Sequence, residues 1–90
     1  MNLDEIRVVI DSLDKEITAL LVKRMEVTRD VAAYKKANGL PVFQPEREKI
    51  VIDKVSTLAG EEYAPYIANI YQNLMDESKE YQKKWLEEHK

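Results

Sequence analysis

The chain lacks cysteine, and its 90 residues include only one histidine, one tryptophan, one phenylalanine, two glycines and three prolines. Without cysteine there is no disulfide framework, no thiolate chemistry and no sulfur metal site, and a reducing, cytoplasmic setting is expected. The lone histidine, His89, lies in the tail, too far from any core pattern to serve as a base or ligand. No apolar run approaches the ~20 residues of a membrane span. The opening Met1-Asn2-Leu3-Asp4-Glu5 is acidic, unlike a signal peptide. Fourteen Lys and Arg against seventeen Asp and Glu leave a net charge of −3, which argues against a nucleic-acid binder. These absences predict one soluble domain spanning residues 1–90, with no nucleic-acid or membrane partner and no fused second domain.

What is present is helical periodicity. Neither Gly nor Pro occurs from Met1 to Asn38. Leu3, Ile6, Ile10, Leu13, Ile17, Leu20, Arg24, Val27, Val31 and Tyr34 recur at alternating steps of three and four, the seam of a helix packed along its length. Asn2 is a good N-cap, with Asp4 and Glu5 facing the positive end of the dipole. The helix should run to about Ala37, where Asn38-Gly39 supplies a left-handed stop and Pro41 bars continuation. Residues 38–44 are then a loop, with Val42 and Phe43 expected to tuck inward.

A second helix should open at Gln44 or Pro45, present Ile50, Val51, Val55 and Leu58 to the interior, and end at Ala59-Gly60. A third starts between Glu61 and Pro65. It carries Tyr66, Ile67, Ile70, Leu74, Met75, Ser78, Tyr81, Gln82 and Trp85 on one stripe, with residues 87–90 frayed. The fold class is all-α, one long, one short and one medium-long helix. A helix over residues 3–36 is about 50 Å long, whereas a compact chain of this size has a radius of gyration near 12 Å. An apolar overhang follows, and an intertwined homodimer is the economical way to cover it.

Polar residues interrupt the apolar faces at several places. Arg24 sits in the seam, where a register device or a snorkelling side chain would be the plain explanation. Lys35, eleven residues on, projects from nearly the same face, and two cations there repel unless an anion lies between them. Arg47 and Glu48 open the second helix, where a solvated helix start is the simpler reading. Ser78 and Gln82 share a face of the third helix, where a tolerated polar edge would do. Taken together these groups describe a closed polar pocket for a small anion. The set includes no activated nucleophile and no metal-ligand cluster, so chemistry there calls for no cofactor and no metal.

These residues resemble the all-helical chorismate mutases. The resemblance rests on Ile6-Arg7-Val8-Val9-Ile10-Asp11-Ser12-Leu13-Asp14, Leu20-Leu21-Val22-Lys23-Arg24, Val31-Ala32-Ala33-Tyr34-Lys35, Pro41, Glu46-Arg47-Glu48 and Ser78…Gln82, and spans essentially the whole chain. It implies a three-helix chain that intertwines as a dimer with shared sites. It also implies an isomerase converting chorismate to prephenate by a unimolecular rearrangement, on the way to phenylalanine and tyrosine.

By position, Arg7, Arg24, Lys35, Gln44, Arg47, Glu48, Ser78 and Gln82 match the family's pocket, with Val31 and Met75 as apolar lining. Position 44 departs from the pattern: Asp is frequent there and this chain has Gln44, so a backbone contact is implied rather than an acidic role. The resemblance assigns Arg7 of the partner subunit, Arg24 and Arg47 to the substrate carboxylates, with Ser78 assisting. Lys35 and Gln82 go to the ether oxygen, and Glu48, held by Lys35, to the ring hydroxyl. Arg7 and Arg24 are about 25 Å apart along a straight helix and point roughly 100° apart, so one chain cannot bring both to one ligand. Two other readings fit the residues less well: a pyruvate-eliminating lyase acting on isochorismate, and a non-catalytic helical regulatory module.

Overall fold

The computed structural model describes residues 1–90 and contains three helices: α1, Leu3–Asn38; α2, Pro45–Ala59; and α3, Ala64–Glu88. The Asn2 side chain accepts a hydrogen bond from the Glu5 N–H at 2.9 Å, so the expected cap forms. At the other end Gly39 adopts φ 65°, the left-handed conformation that favours glycine. The Leu40 N–H donates to the Lys35 carbonyl at 2.9 Å and the Gly39 N–H to that of Lys36 at 3.4 Å. This reversal sends residues 40–44 back over the end of α1. Pro45 occupies the first turn of α2, where its missing N–H costs nothing.

Both α1 and α2 pack on α3, but α1 does so only through its second half. Every residue from Met1 to Lys23 is exposed. The face α1 buries within its own chain is Arg24, Met25, Thr28, Ala32 and Lys35, shifted around the helix from the apolar seam. Small Thr28 and Ala32 lie at its centre and are buried, as are Met75, Ser78 and Gln82 on the facing side of α3. The seam residues Ile10, Leu13, Ile17, Leu20, Val27 and Tyr34 stay open.

The elongated shape follows. The principal extents are 53 × 28 × 14 Å and the radius of gyration is 16.1 Å, against about 12 Å for a compact chain of this length. Only six of 90 residues are buried, and Thr28, Ser78 and Gln82 among them are polar. A protomer so poor in buried apolar groups has no hydrophobic core of ordinary size.

Three local expectations need correction. Phe43 does not tuck inward: it is 55% exposed, because residues 40–44 turn Val42 and Gln44 toward the helices and leave Phe43 on the outer side. On α2, Val51 is buried and Val55 half-buried as expected, but Ile50 and Leu58 are exposed while Ile52 and Ser56 are half-buried, so the inward face is rotated from the one the apolar residues suggested. The last helix also extends further than expected. α3 continues to Glu88, the His89 ring stacks on Trp85 with centroids 4.0 Å apart, and Lys36 donates to the His89 carbonyl.

Candidate active site

Where the second half of α1, the start of α2 and the middle of α3 converge, they line a half-open cavity of about 300 Å³. Arg24, Lys35, Gln44, Arg47, Glu48, Ser78 and Gln82 all line it, with Val27, Val31, Val42, Val51 and Met75 as apolar wall. Seven of the eight residues singled out from sequence therefore share one cavity. The eighth, Arg7, lies on the exposed first half of α1 and is not among the residues that line it.

Arg24 and Lys35 are each aimed by specific contacts. Arg24 donates from Nη1 to the Ser78 hydroxyl at 3.1 Å, and its guanidinium lies 6.0 Å from the centre of the Tyr71 ring, within cation–π range. Thr28, one turn along, donates its hydroxyl to the Arg24 carbonyl at 2.8 Å and so adds no free hydrogen-bond donor to the cavity. Lys35 donates to the Val42 carbonyl at 2.7 Å and to Gln82 Oε1 at 2.8 Å. An ammonium has three donors, so one N–H of Lys35 is left for a ligand. The Gln82 amide is oriented by the same contact: its oxygen is engaged and its NH₂ remains to donate.

The Val42 contact is a consequence of the α1 stop. Gly39 and Leu40 fold the chain back, and the carbonyl two residues on reaches the Lys35 side chain. Burial holds the Lys35 ammonium below the ordinary lysine range, and the nearby Glu48 carboxylate opposes that shift. Gln44 makes only a long contact, Nε2 to the Pro41 carbonyl at 3.4 Å. It occupies the cap position of α2 without capping it.

Glu48 is not held by Lys35. Its Oε2 meets Lys79 Nζ at 2.9 Å, and its Oε1 accepts from Gln72 Nε2 at 3.3 Å. Lys35 makes its hydrogen bonds to Val42 and Gln82 and forms no direct ion pair with Glu48. Sequence reasoning missed Lys79. Its signal was available, since Lys79 follows Ser78 directly and faces Glu48 across α2 and α3, but a lysine on a helix edge is ordinarily solvated.

Arg24, Lys35, Arg47 and Lys79 against Glu48 make the cavity strongly cationic within a chain of net charge −3. Such a cavity suits a small dianion, and planar guanidinium forks suit carboxylates in particular. The profile of the family described as chorismate mutase type II matches residues 6–83. The chain belongs to that family. A chorismate mutase of Methanocaldococcus jannaschii is 38% identical over 97% of this chain and 90% of its own length. A bifunctional chorismate mutase/prephenate dehydratase of Buchnera aphidicola is 35% identical over 86% of this chain, which spans 20% of that longer protein. A 4-amino-4-deoxychorismate mutase of Streptomyces venezuelae is 26% identical over 84% of this chain and 76% of its own length. The matched stretch of the chorismate mutase family runs from Arg7 to Gln82 and beyond, so every candidate site residue falls inside it.

Proposed function

We propose that the chain is a chorismate mutase, an isomerase that converts the chorismate dianion to prephenate in aromatic amino-acid synthesis. The observation that carries this is the convergence of Arg24, Lys35, Arg47, Glu48, Ser78 and Gln82 on one cavity in a chain of that family. The reaction breaks an ether C–O bond while forming a C–C bond, so the protein has only to hold the folded conformer and stabilise developing charge. Arg24 and Arg47 bind the substrate carboxylates, with Ser78 fixing Arg24. The free N–H of Lys35 and the Gln82 amide donate to the ether oxygen as it gains negative charge. Glu48 accepts from the ring hydroxyl, and the backbone at Gln44 adds a further contact.

The working unit in this reading is a homodimer. Its support is the exposed apolar stripe on α1 and the 53 Å length of so small a protomer. Pairing of the first halves of α1 would bring Arg7 of the partner subunit to the open side of the cavity, where it completes the carboxylate clamp. No helix is long and apolar enough to cross a membrane, and the cysteine-free composition fits a cytoplasmic enzyme.

Following chorismate disappearance with the purified protein, with identification of the product, tests the assignment. Prephenate is the expected product. Release of pyruvate would point instead to a lyase of the same fold, and unchanged chorismate would remove the enzyme reading.

A further inference from the structure

Lys79 is the one cavity cation with no place in the reaction as described. It lies on α3 with its ammonium 2.9 Å from Glu48 Oε2 and 3.3 Å from Asp76 Oδ1. Gln72 Nε2 bridges the same two carboxylates, at 3.3 Å to Glu48 and 3.1 Å to Asp76. Phe43, turned outward by its loop, supplies a ring 4.6 Å from the Lys79 ammonium. The Glu48 and Lys79 side chains are only 16% and 20% exposed, whereas Asp76 is 53% exposed. Lys79 is thus the cation placed between two neighbouring carboxylates, seated on an aromatic face and part-shielded from water.

We propose that Lys79 is a positioning residue: it fixes and charge-balances the Glu48 carboxylate, so that the cavity selects a ring bearing a neutral hydroxyl over one bearing a protonated amino group. The proposal rests on the assignment of Glu48 to the ring substituent. A hydroxyl needs from Glu48 only an acceptor held in place, and a carboxylate already paired with an ammonium still has lone pairs to accept with. An alkylammonium brings a positive charge into a cavity that already holds Arg24, Lys35 and Arg47. Its entry is favourable only if Glu48 has charge to spare. With Lys79 present that charge is taken; without it, the Glu48 carboxylate faces the cavity unbalanced, with Asp76 behind it adding to the negative potential.

The test measures kcat/KM for chorismate and for 4-amino-4-deoxychorismate, whose ring hydroxyl is replaced by an amino group, in the wild type and in Lys79→Met, Lys79→Arg, Asp76→Asn and Glu48→Gln. Lys79→Met should shift the ratio toward the amino substrate by on the order of tenfold. Lys79→Arg, which keeps the charge, should hold it within about twofold of the wild type. Asp76→Asn, an exposed change that leaves Lys79 wholly to Glu48, should move the ratio a few-fold the other way. A parallel fall for both substrates in Lys79→Met, with helicity retained, would mark a purely structural role and overturn the proposal. If Lys79→Met does not fold, an unchanged ratio, or one shifted toward the amino substrate, in Asp76→Asn overturns it as well. Glu48→Gln separates the two layers: if it leaves the ratio untouched, Glu48 does not meet the ring substituent, and the underlying assignment fails with the proposal. If Glu48→Gln changes the ratio and Lys79→Met does not, the role of Lys79 alone fails.

Discussion

Residues 3–23 of α1 and the cavity around residues 24–35 are built from opposite materials. The first stretch carries Ile6, Ile10, Leu13, Ile17 and Leu20 and buries none of them within its own chain. The second buries Thr28, Ser78 and Gln82 alongside Val51 and Met75, and half-buries Arg24 and Lys35. In an ordinary domain the apolar groups go inside and the polar ones face water. The inversion teaches that this chain spends little of its apolar surface on itself: the α1 stripe is left uncovered, while polar and charged groups are gathered around the cavity.

The largest effect is expected from placing a charge on the exposed stripe. Ile17→Asp changes a residue that is 51% exposed within its own chain, so a self-sufficient protomer would hardly register it. In the dimer reading the new carboxylate is forced between two helices, and a protomer with so little apolar burial cannot fold without that contact. Loss of the dimer in light scattering, loss of helicity in circular dichroism and undetectable mutase activity are expected. A folded, helical monomer would show that the two regions are not coupled.

Next in size is the polar side. Lys35→Ala removes the ammonium positioned by Val42 and Gln82 and should lower kcat by ~10²–10³ while the dimer persists. Arg7→Ala should damage the same site from the other chain. Mixing the two variants through a dissociation step then sharpens the comparison. Random exchange makes half the dimers mixed, each with one intact site and one doubly damaged site. Activity should recover to about a quarter of the wild type. No recovery would place Arg7 outside the partner's cavity.

A smaller change tests the donor opposite Lys35. Gln82 donates at every pH, but a glutamate there would pair with the Lys35 ammonium now 2.8 Å from Gln82 Oε1 and would donate only when protonated. Gln82→Glu should lose about tenfold or more at neutral pH and regain activity as the medium turns acid. Identical pH profiles for the two proteins would remove Gln82 from the reaction.

How far these regions could be read in the sequence differs as their chemistry does. The helices were legible because their ends are written locally: Asn2, Gly39, Pro45 and Gly60 act on their immediate neighbours. The site was legible because a charge inside an apolar period stands out, as Arg24 and Lys35 do. The partners were not legible. Whether Glu48 meets Lys35 or Lys79 depends on how α2 rotates against α3, and that rotation is a matter of packing between helices rather than of any spacing along one helix. Phe43 failed for a related reason: an aromatic in a loop reads as core unless the cation that sits on it is known. The α2 face failed because Ile50 and Leu58 are apolar without being inward, which fits a chain whose apolar surface is only partly spent on itself.

The gentlest probe is pH, because it alters no residue. Burial lowers the Lys35 pKa below the ordinary lysine value, with Glu48 opposing. The ammonium is the form that donates to the ether oxygen, so kcat/KM should be level below that lowered pKa and fall as pH rises through it, earlier than an unburied lysine would allow. The stability change runs the other way. Between the folded pKa and the unfolded value the unfolded chain binds more protons at this position, so Lys35 contributes more to stability as pH rises. Lys79 is shifted oppositely: Glu48 first and Asp76 second hold its ammonium above the usual range, so its contribution is full throughout that window and is lost only beyond it. Circular dichroism should therefore show an intact protein where activity is already falling. Glu48→Gln, which removes the opposing carboxylate, should move the alkaline limb to still lower pH. A limb that stays where it was, or one that coincides with unfolding, would mean that the titrating group is not Lys35.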